Sequence, residues 1–142
     1  MRNVKIKITG IQTIDGESDK IEFISDGIFG TNENGFYLKY TEGELVGESK
    51  TNTEFILENE KTAILNRTGG MSSRLIISEG KRNNCFYSTA EGALTIGIYG
   101  ESVAYRLTDI GGEINLKYTI DSNMTLLSEN EVNIKFREFK NK

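Results

Sequence analysis

Apolar and polar residues alternate along most of this chain. Val4, Ile6 and Ile8 interleave with Lys5, Lys7 and Thr9, and Ile114, Leu116, Tyr118 and Ile120 with Asn115, Lys117, Thr119 and Asp121. Val132, Ile134 and Phe136 interleave with Asn133, Lys135 and Arg137 in the same way. A period of two sends alternate side chains to opposite faces, so each run predicts a half-buried β-strand with one wet face. Nowhere is the 3, 4, 7 spacing of an amphipathic helix sustained.

Turn chemistry punctuates the runs at short intervals: Asn34-Gly35, Glu42-Gly43, Asn59-Glu60, Gly69-Gly70, Gly80-Lys81, Glu91-Gly92, Gly111-Gly112 and the segment 121–123. Connections this brief allow hairpins and leave no room for helical crossovers, so the strands pair antiparallel. The expectation is a meander of nine or ten strands in one domain spanning residues 1–142. A short helix or a loop fits best at 41–52 or 15–20.

Apolar parity is even at Val4, Ile6 and Ile8 and odd at Ile11, with Gly10 between. It is even at Leu94, Ile96 and Ile98 and odd at Val103, Tyr105 and Leu107, with Gly100 between. A one-residue slip at a glycine reads as a β-bulge, which bends a strand and increases its twist. Long bent strands joined by tight turns favour a closed or nearly closed barrel of about eight to ten strands over two stacked sheets. The other reading of 99–102 is a true hairpin turn.

The composition then narrows the chemistry. The chain has 142 residues with no Pro, Trp or His and one Cys. Histidine-based triads, histidine zinc sites and intrachain disulfides are therefore excluded. Cys85, between Asn84 and Phe86 on an expected strand, reads as a packed and inert side chain. Seventeen basic and twenty-one acidic residues give a formal charge of −4. With no basic run longer than Lys81-Arg82, nucleic acid is not an expected partner. The longest apolar stretches, such as Leu75-Ile76-Ile77, fall far short of a membrane-spanning helix, so no membrane partner is expected. Lysines occupy the place of a secretory signal's apolar segment, which points to the cytoplasm. The carboxylates sit mostly in turns or on wet faces, where they solvate the sheet. The acidic loop 15–19 lacks a calcium-loop pattern, and no glycine-rich phosphate loop is present. No cofactor is expected, and the sequence argues against an enzyme.

Several segments together resemble the YwiB-like family of small bacterial proteins, over about Val4 to Phe136. They are Tyr40-Thr41-Glu42, then Asn66-Arg67-Thr68-Gly69-Gly70 with Ser73 beyond, and Glu79-Gly80. Tyr87-Ser88-Thr89-Ala90-Glu91-Gly92 and Gly112-Glu113-Ile114-Asn115-Leu116-Lys117-Tyr118 follow in the same order and spacing. The resemblance implies a calycin-type, lipocalin-like barrel of unestablished function. It supplies no catalytic residues, and a fold alone does not license a function.

Six residues are the candidates for a ligand site. Arg67 follows Ala63 and Leu65 at strand spacing, so it shares a face with apolar side chains. Its planar five-donor fork suits a carboxylate or phosphate. The alternative is a rim position with an acid such as Glu42 as its partner. Arg74 lies across the Gly69-Gly70 turn and is expected near Arg67. Tyr87 and Thr89 share a face and offer hydroxyls at a pocket mouth, and Tyr40 and Glu42 have a similar standing. The expected activity is the binding of a small amphipathic or anionic ligand in the barrel or at its mouth. The alternative is a filled barrel acting as a protein-interaction or assembly module through its surface.

Overall fold

The computed structural model describes residues 2–33, 35–42, 51–69, 72–89 and 92–139. The strands are β1 (Arg2–Ile14), β2 (Glu17–Thr31), β3 (Gly35–Glu42), β4 (Thr51–Glu58) and β5 (Thr62–Gly69). After them come β6 (Ser72–Ser78), β7 (Arg82–Thr89), β8 (Gly92–Leu107), β9 (Gly111–Ser122) and β10 (Thr125–Glu138). Each strand pairs antiparallel with the next, and β10 returns to β1 from Val4–Glu138 to Thr13–Glu129, closing the barrel. The expected all-β meander is thus a closed ten-stranded antiparallel barrel.

Two-residue turns with positive φ build several hairpins: Asp15 at 50° with Gly16 at 80°, and Asn123 at 50° with Met124 at 71°. Such turns match the right-handed twist of the strands they join. Segment 15–20 is therefore neither helix nor open loop, because β2 begins at Glu17 directly after the turn. Of the irregular stretch 41–52, residues 43–50 lie outside the described residues.

The bulge expected at Gly100 is present. β8 is one continuous strand whose pairing with β9 slips between Gly100 and Ser102, so no hairpin turn divides it. Gly80 N–H donates to Gly100 O at 2.8 Å, and Gly100 N–H to Lys81 O at 3.1 Å. Glu79 braces the same bulge, accepting from Val103 N–H at 3.1 Å and from Lys61 Nζ at 2.9 Å. The Val103 amide, followed by Lys61, holds the Glu79 carboxyl below its ordinary pKa.

The bulge expected at Gly10 is absent. β1 runs in unbroken register, with Gly10 opposite Val132 and Ile21. The parity changes there because the inward position passes from an isoleucine to Gln12, whose amide donates to Asn130 Oδ1 at 3.4 Å. A second slip, between Leu126 and Ser128 of β10, carried no glycine to announce it.

Inward residues stack in cross-strand rows. One row is Phe36, Leu57, Ala63 and Ile77, and the next is Leu38, Phe55, Leu65 and Leu75. All eight are buried and face Val4, Ile6, Ile114, Leu116, Ile134 and Phe136 from the other strands. Phe29 stacks on Phe136 with ring centroids 5.1 Å apart, and Tyr105 meets Phe36 edge-on at 5.5 Å. Each fully buried large side chain contributes roughly 1.5–3 kcal/mol of transfer free energy, so this end is a core and not a channel.

Candidate functional site

The next row along the same strands changes character. Tyr40 of β3 pairs with Thr53 of β4, Thr53 with Arg67 of β5, and Arg67 with Ser73 of β6. Tyr40, Thr53 and Ser73 are buried, and Arg67 is half-buried. Strand parity is the reason: two residues after the Leu38–Phe55–Leu65–Leu75 row, the same inward face carries polar side chains. The Ser73 hydroxyl is buried with no hydrogen-bond partner among the described residues. Such a group loses its water without compensation, a loss of about 1–3 kcal/mol. Arg67 makes contacts of its own, and its Nε is also buried in this row.

Tyr118 of β9 reaches the same space from the opposite wall and is buried. Burial pushes its phenol above the ordinary tyrosine value, and the nearby positive charge of Arg67 pulls it partly back. Beside Tyr118, Asn130 of β10 donates to Ser128 Oγ at 3.0 Å. One end of the barrel interior is thus apolar and closed, and the other holds a cation among hydroxyl and amide groups.

The barrel forks at this polar end. β2 pairs with β3 only over Gly27–Thr31, and among the described residues Glu17–Asp26 pairs with β1 alone. A groove of about 580 Å³ lies on the outer face beside the fork, lined mainly by outward positions such as Asp26, Ile28, Lys39, Thr41, Asn52 and Glu54, and Arg67, Ser73 and Tyr118 are not part of its lining. Phe23 of β2 packs on Tyr40 of β3 near the fork, with ring centroids 5.9 Å apart. Leu94, which continues the inward parity of Ile98 and Ile96, is 55% exposed.

The candidates separate accordingly. Arg67 and Tyr40 meet in one row. Arg74 does not join Arg67: it lies opposite Asn66 and Phe86, on the outer face, and is exposed. The turn places the two arginines close in sequence, but Arg67 pairs with Ser73, and one further residue reverses the face. Tyr87 lies in register with Ser73 and Leu94, Thr89 opposite Gly92, and Glu42 opposite Thr51. The side chains of Tyr87, Thr89 and Glu42 lie outside the described residues. Thr53, Tyr118 and Asn130 were missed as site residues. The available signal was a polar residue on the inward parity of an apolar strand.

Cys85 is buried, and its Sγ accepts the Ile76 N–H at 3.3 Å. Burial pushes the thiol up, which suits an inert role. No group of three acidic or cysteine side chains among the described residues is placed to hold a metal ion. No helix among them is long and apolar enough to cross a membrane.

These features define a closed ten-stranded barrel with a filled apolar end and a row of polar side chains directed inward at a forked end. The chain belongs to the family described as "Domain of unknown function (DUF1934)", whose model matches residues 6–134. The ywiB protein from Bacillus subtilis has a similar crystal structure, with a TM-score of 0.85 and 19% identity over 98% of this chain and 93% of that one. That likeness shows the fold, and with the family match it bears out the YwiB-like resemblance. No curated protein matches the sequence.

Proposed function

We propose that the chain binds a small amphipathic anion at the polar end of its barrel, a lipocalin-like use of the fold. The observation that carries this reading is the Tyr40–Thr53–Arg67–Ser73 row, facing Tyr118 across the lumen. Arg67 supplies a permanent charge in a partly water-excluded space, where attraction to a carboxylate or phosphate is less screened than in bulk water. The Ser73 hydroxyl supplies a donor, and Tyr40, Thr53 and Tyr118 supply further hydroxyl groups. The apolar part of the ligand lies toward the fork, along Phe23.

The test is native mass spectrometry of gently purified protein, followed by titration with an alkyl carboxylate such as octanoate. The wild-type chain retains a small anion and binds the probe. Arg67→Gln loses both, with affinity falling about tenfold or more, as expected for removal of a charge-assisted hydrogen bond. A wild-type chain that carries no small molecule and ignores alkyl carboxylates and phosphates overturns the reading. So does Arg67→Gln binding them as wild type does. A module acting through its outer surface is the second reading, favoured by Phe86, which is 70% exposed on the outer face of β7.

A further inference from the structure

We propose that β2 is a self-pairing edge through which two copies of this chain join their barrels into one continuous antiparallel sheet. The proposal does not depend on ligand binding.

The two-residue turn at Asp15-Gly16 makes Ile14–Glu17 a hydrogen-bonded pair, and the ladder alternates from there. Odd-numbered residues of β2 therefore direct their N–H and C=O groups at β1, and even-numbered ones direct theirs away from it. Farther along, the even positions face β3, as the Asn32 N–H donating to Gly35 O at 2.9 Å shows. Over Glu17–Asp26 no described strand occupies that side, so among the described residues Ser18, Lys20, Glu22 and Ile24 have no backbone partner there. No proline interrupts this edge and no register shift twists it away, although both are usual guards against edge pairing. Ile21 and Ile24 stand 67% and 70% exposed along it.

Charge selects the occupant. In a two-fold antiparallel pair, even residues must face even residues, so the axis passes through a single residue number. An axis at Lys20 sets lysine against lysine, and one at Glu22 sets glutamate against glutamate. An axis at Phe23 drives the partner strand into β3, which begins pairing at Gly27. An axis at Ile21 sets Lys20 of each copy opposite Glu22 of the other and Ser18 opposite Ile24. Ile21 then meets Ile21 in a non-hydrogen-bonded pair, where side chains approach most closely. Lys20 and Glu22 already lie 3.2 Å apart within one copy, on the outer face where the new pairs would form. The occupant is thus a second copy of this chain. A contact of two short strands falls below the roughly 1,200 Å² of a stable interface, so the dimer is reversible and concentration-dependent.

Sedimentation equilibrium over about 1–500 μM protein, a span suited to weak association, tests it with charge-swap variants. Wild type shows a monomer–dimer equilibrium. Lys20→Glu and Glu22→Lys each weaken it about tenfold, since each replaces two symmetry-related attractions by repulsions. The double variant restores it, because the pairs re-form with their signs exchanged. Circular dichroism of each single variant confirms a folded barrel, and Glu22→Pro provides a second block by removing an edge donor that β1 does not use. A wild-type chain that stays monomeric throughout overturns the proposal. So do single variants that dimerise as wild type does, or a double variant no better than the singles.

Discussion

At the scale of single residues, the barrel interior is decided by which polar groups the strands direct inward. Tyr118 is the most sensitive reporter of that choice, because its phenol feels both burial and the charge of Arg67. Its pKa is raised in the folded protein, so folding favours the protonated phenol. The resulting stabilisation is complete below the ordinary tyrosine value near 10 and is lost as pH rises through the folded value. Alkaline titration of phenolate absorbance, with Tyr118→Phe as the reference, isolates this group. It should ionise above pH 10 in wild type and higher still in Arg67→Gln, where the stabilising charge is gone. A Tyr118 titration that ignores Arg67→Gln would mean that the two side chains do not face each other across the lumen. Arg67 itself was legible in the sequence, since it continues the Ala63, Leu65 parity. Its opposite wall was not, because no local pattern says which residue of β9 will face it across the lumen.

At the scale of elements, two glycines that look alike in sequence behave differently. Both Gly10 and Gly100 sit where apolar parity slips, yet only Gly100 makes a bulge, because the turn after β6 bonds to its backbone and Glu79 holds the next inward amide. A side chain at Gly100 would collide with the Ser78 carbonyl, whereas one at Gly10 meets nothing within 4 Å. Gly100→Ala should therefore destabilise the protein by about 1–3 kcal/mol, the usual range for overpacking against atoms that cannot yield. Gly10→Ala should be neutral or stabilising by up to about 1 kcal/mol, through the lost backbone freedom of the unfolded chain. Urea unfolding of the two variants checks both, and equal destabilisation would refute the distinction. Strand existence, antiparallel order and the closed barrel were readable because they depend on period-two patterning and short turns. The state of Gly10 was not, since its parity change arises from a polar inward residue, Gln12, which hydrophobic patterning cannot register. The same limit misplaced Arg74, whose face depends on whether Arg67 pairs with residue 73 or 74.

At the scale of the whole molecule, the barrel is closed but its seams are unequal. Among the described residues, β1 and β2 pair over thirteen positions and β9 and β10 over twelve, whereas β2 and β3 share five. Among the same residues β6 and β7 share three, Ser72–Arg74 against Phe86–Ser88, before the Cys85 thiol takes over as acceptor for the Ile76 amide. These two thin seams divide the ring into a four-stranded wall, β3–β6, and a six-stranded wall, β7–β10 with β1 and β2. Arg67 and its row belong to the smaller wall and Tyr118 to the larger. The polar row and Tyr118 therefore belong to two walls whose mutual attachment, among the described residues, is weakest along β2–β3 and β6–β7. Local opening follows the places with the fewest ladder bonds, so the walls should part there before either one unravels. Native-state hydrogen exchange in low urea should show Arg74 and Phe86 amides exchanging at least roughly tenfold faster than those of Leu116 and Ile134 in the larger wall, a difference typical of sub-global opening. An anion bridging Arg67 to Tyr118 would tie the walls together, so it should slow exchange at the seams while leaving Leu116 and Ile134 nearly unchanged. Seam amides as protected as Leu116 would instead make the ring one uniform unit, with no seam along which the walls part.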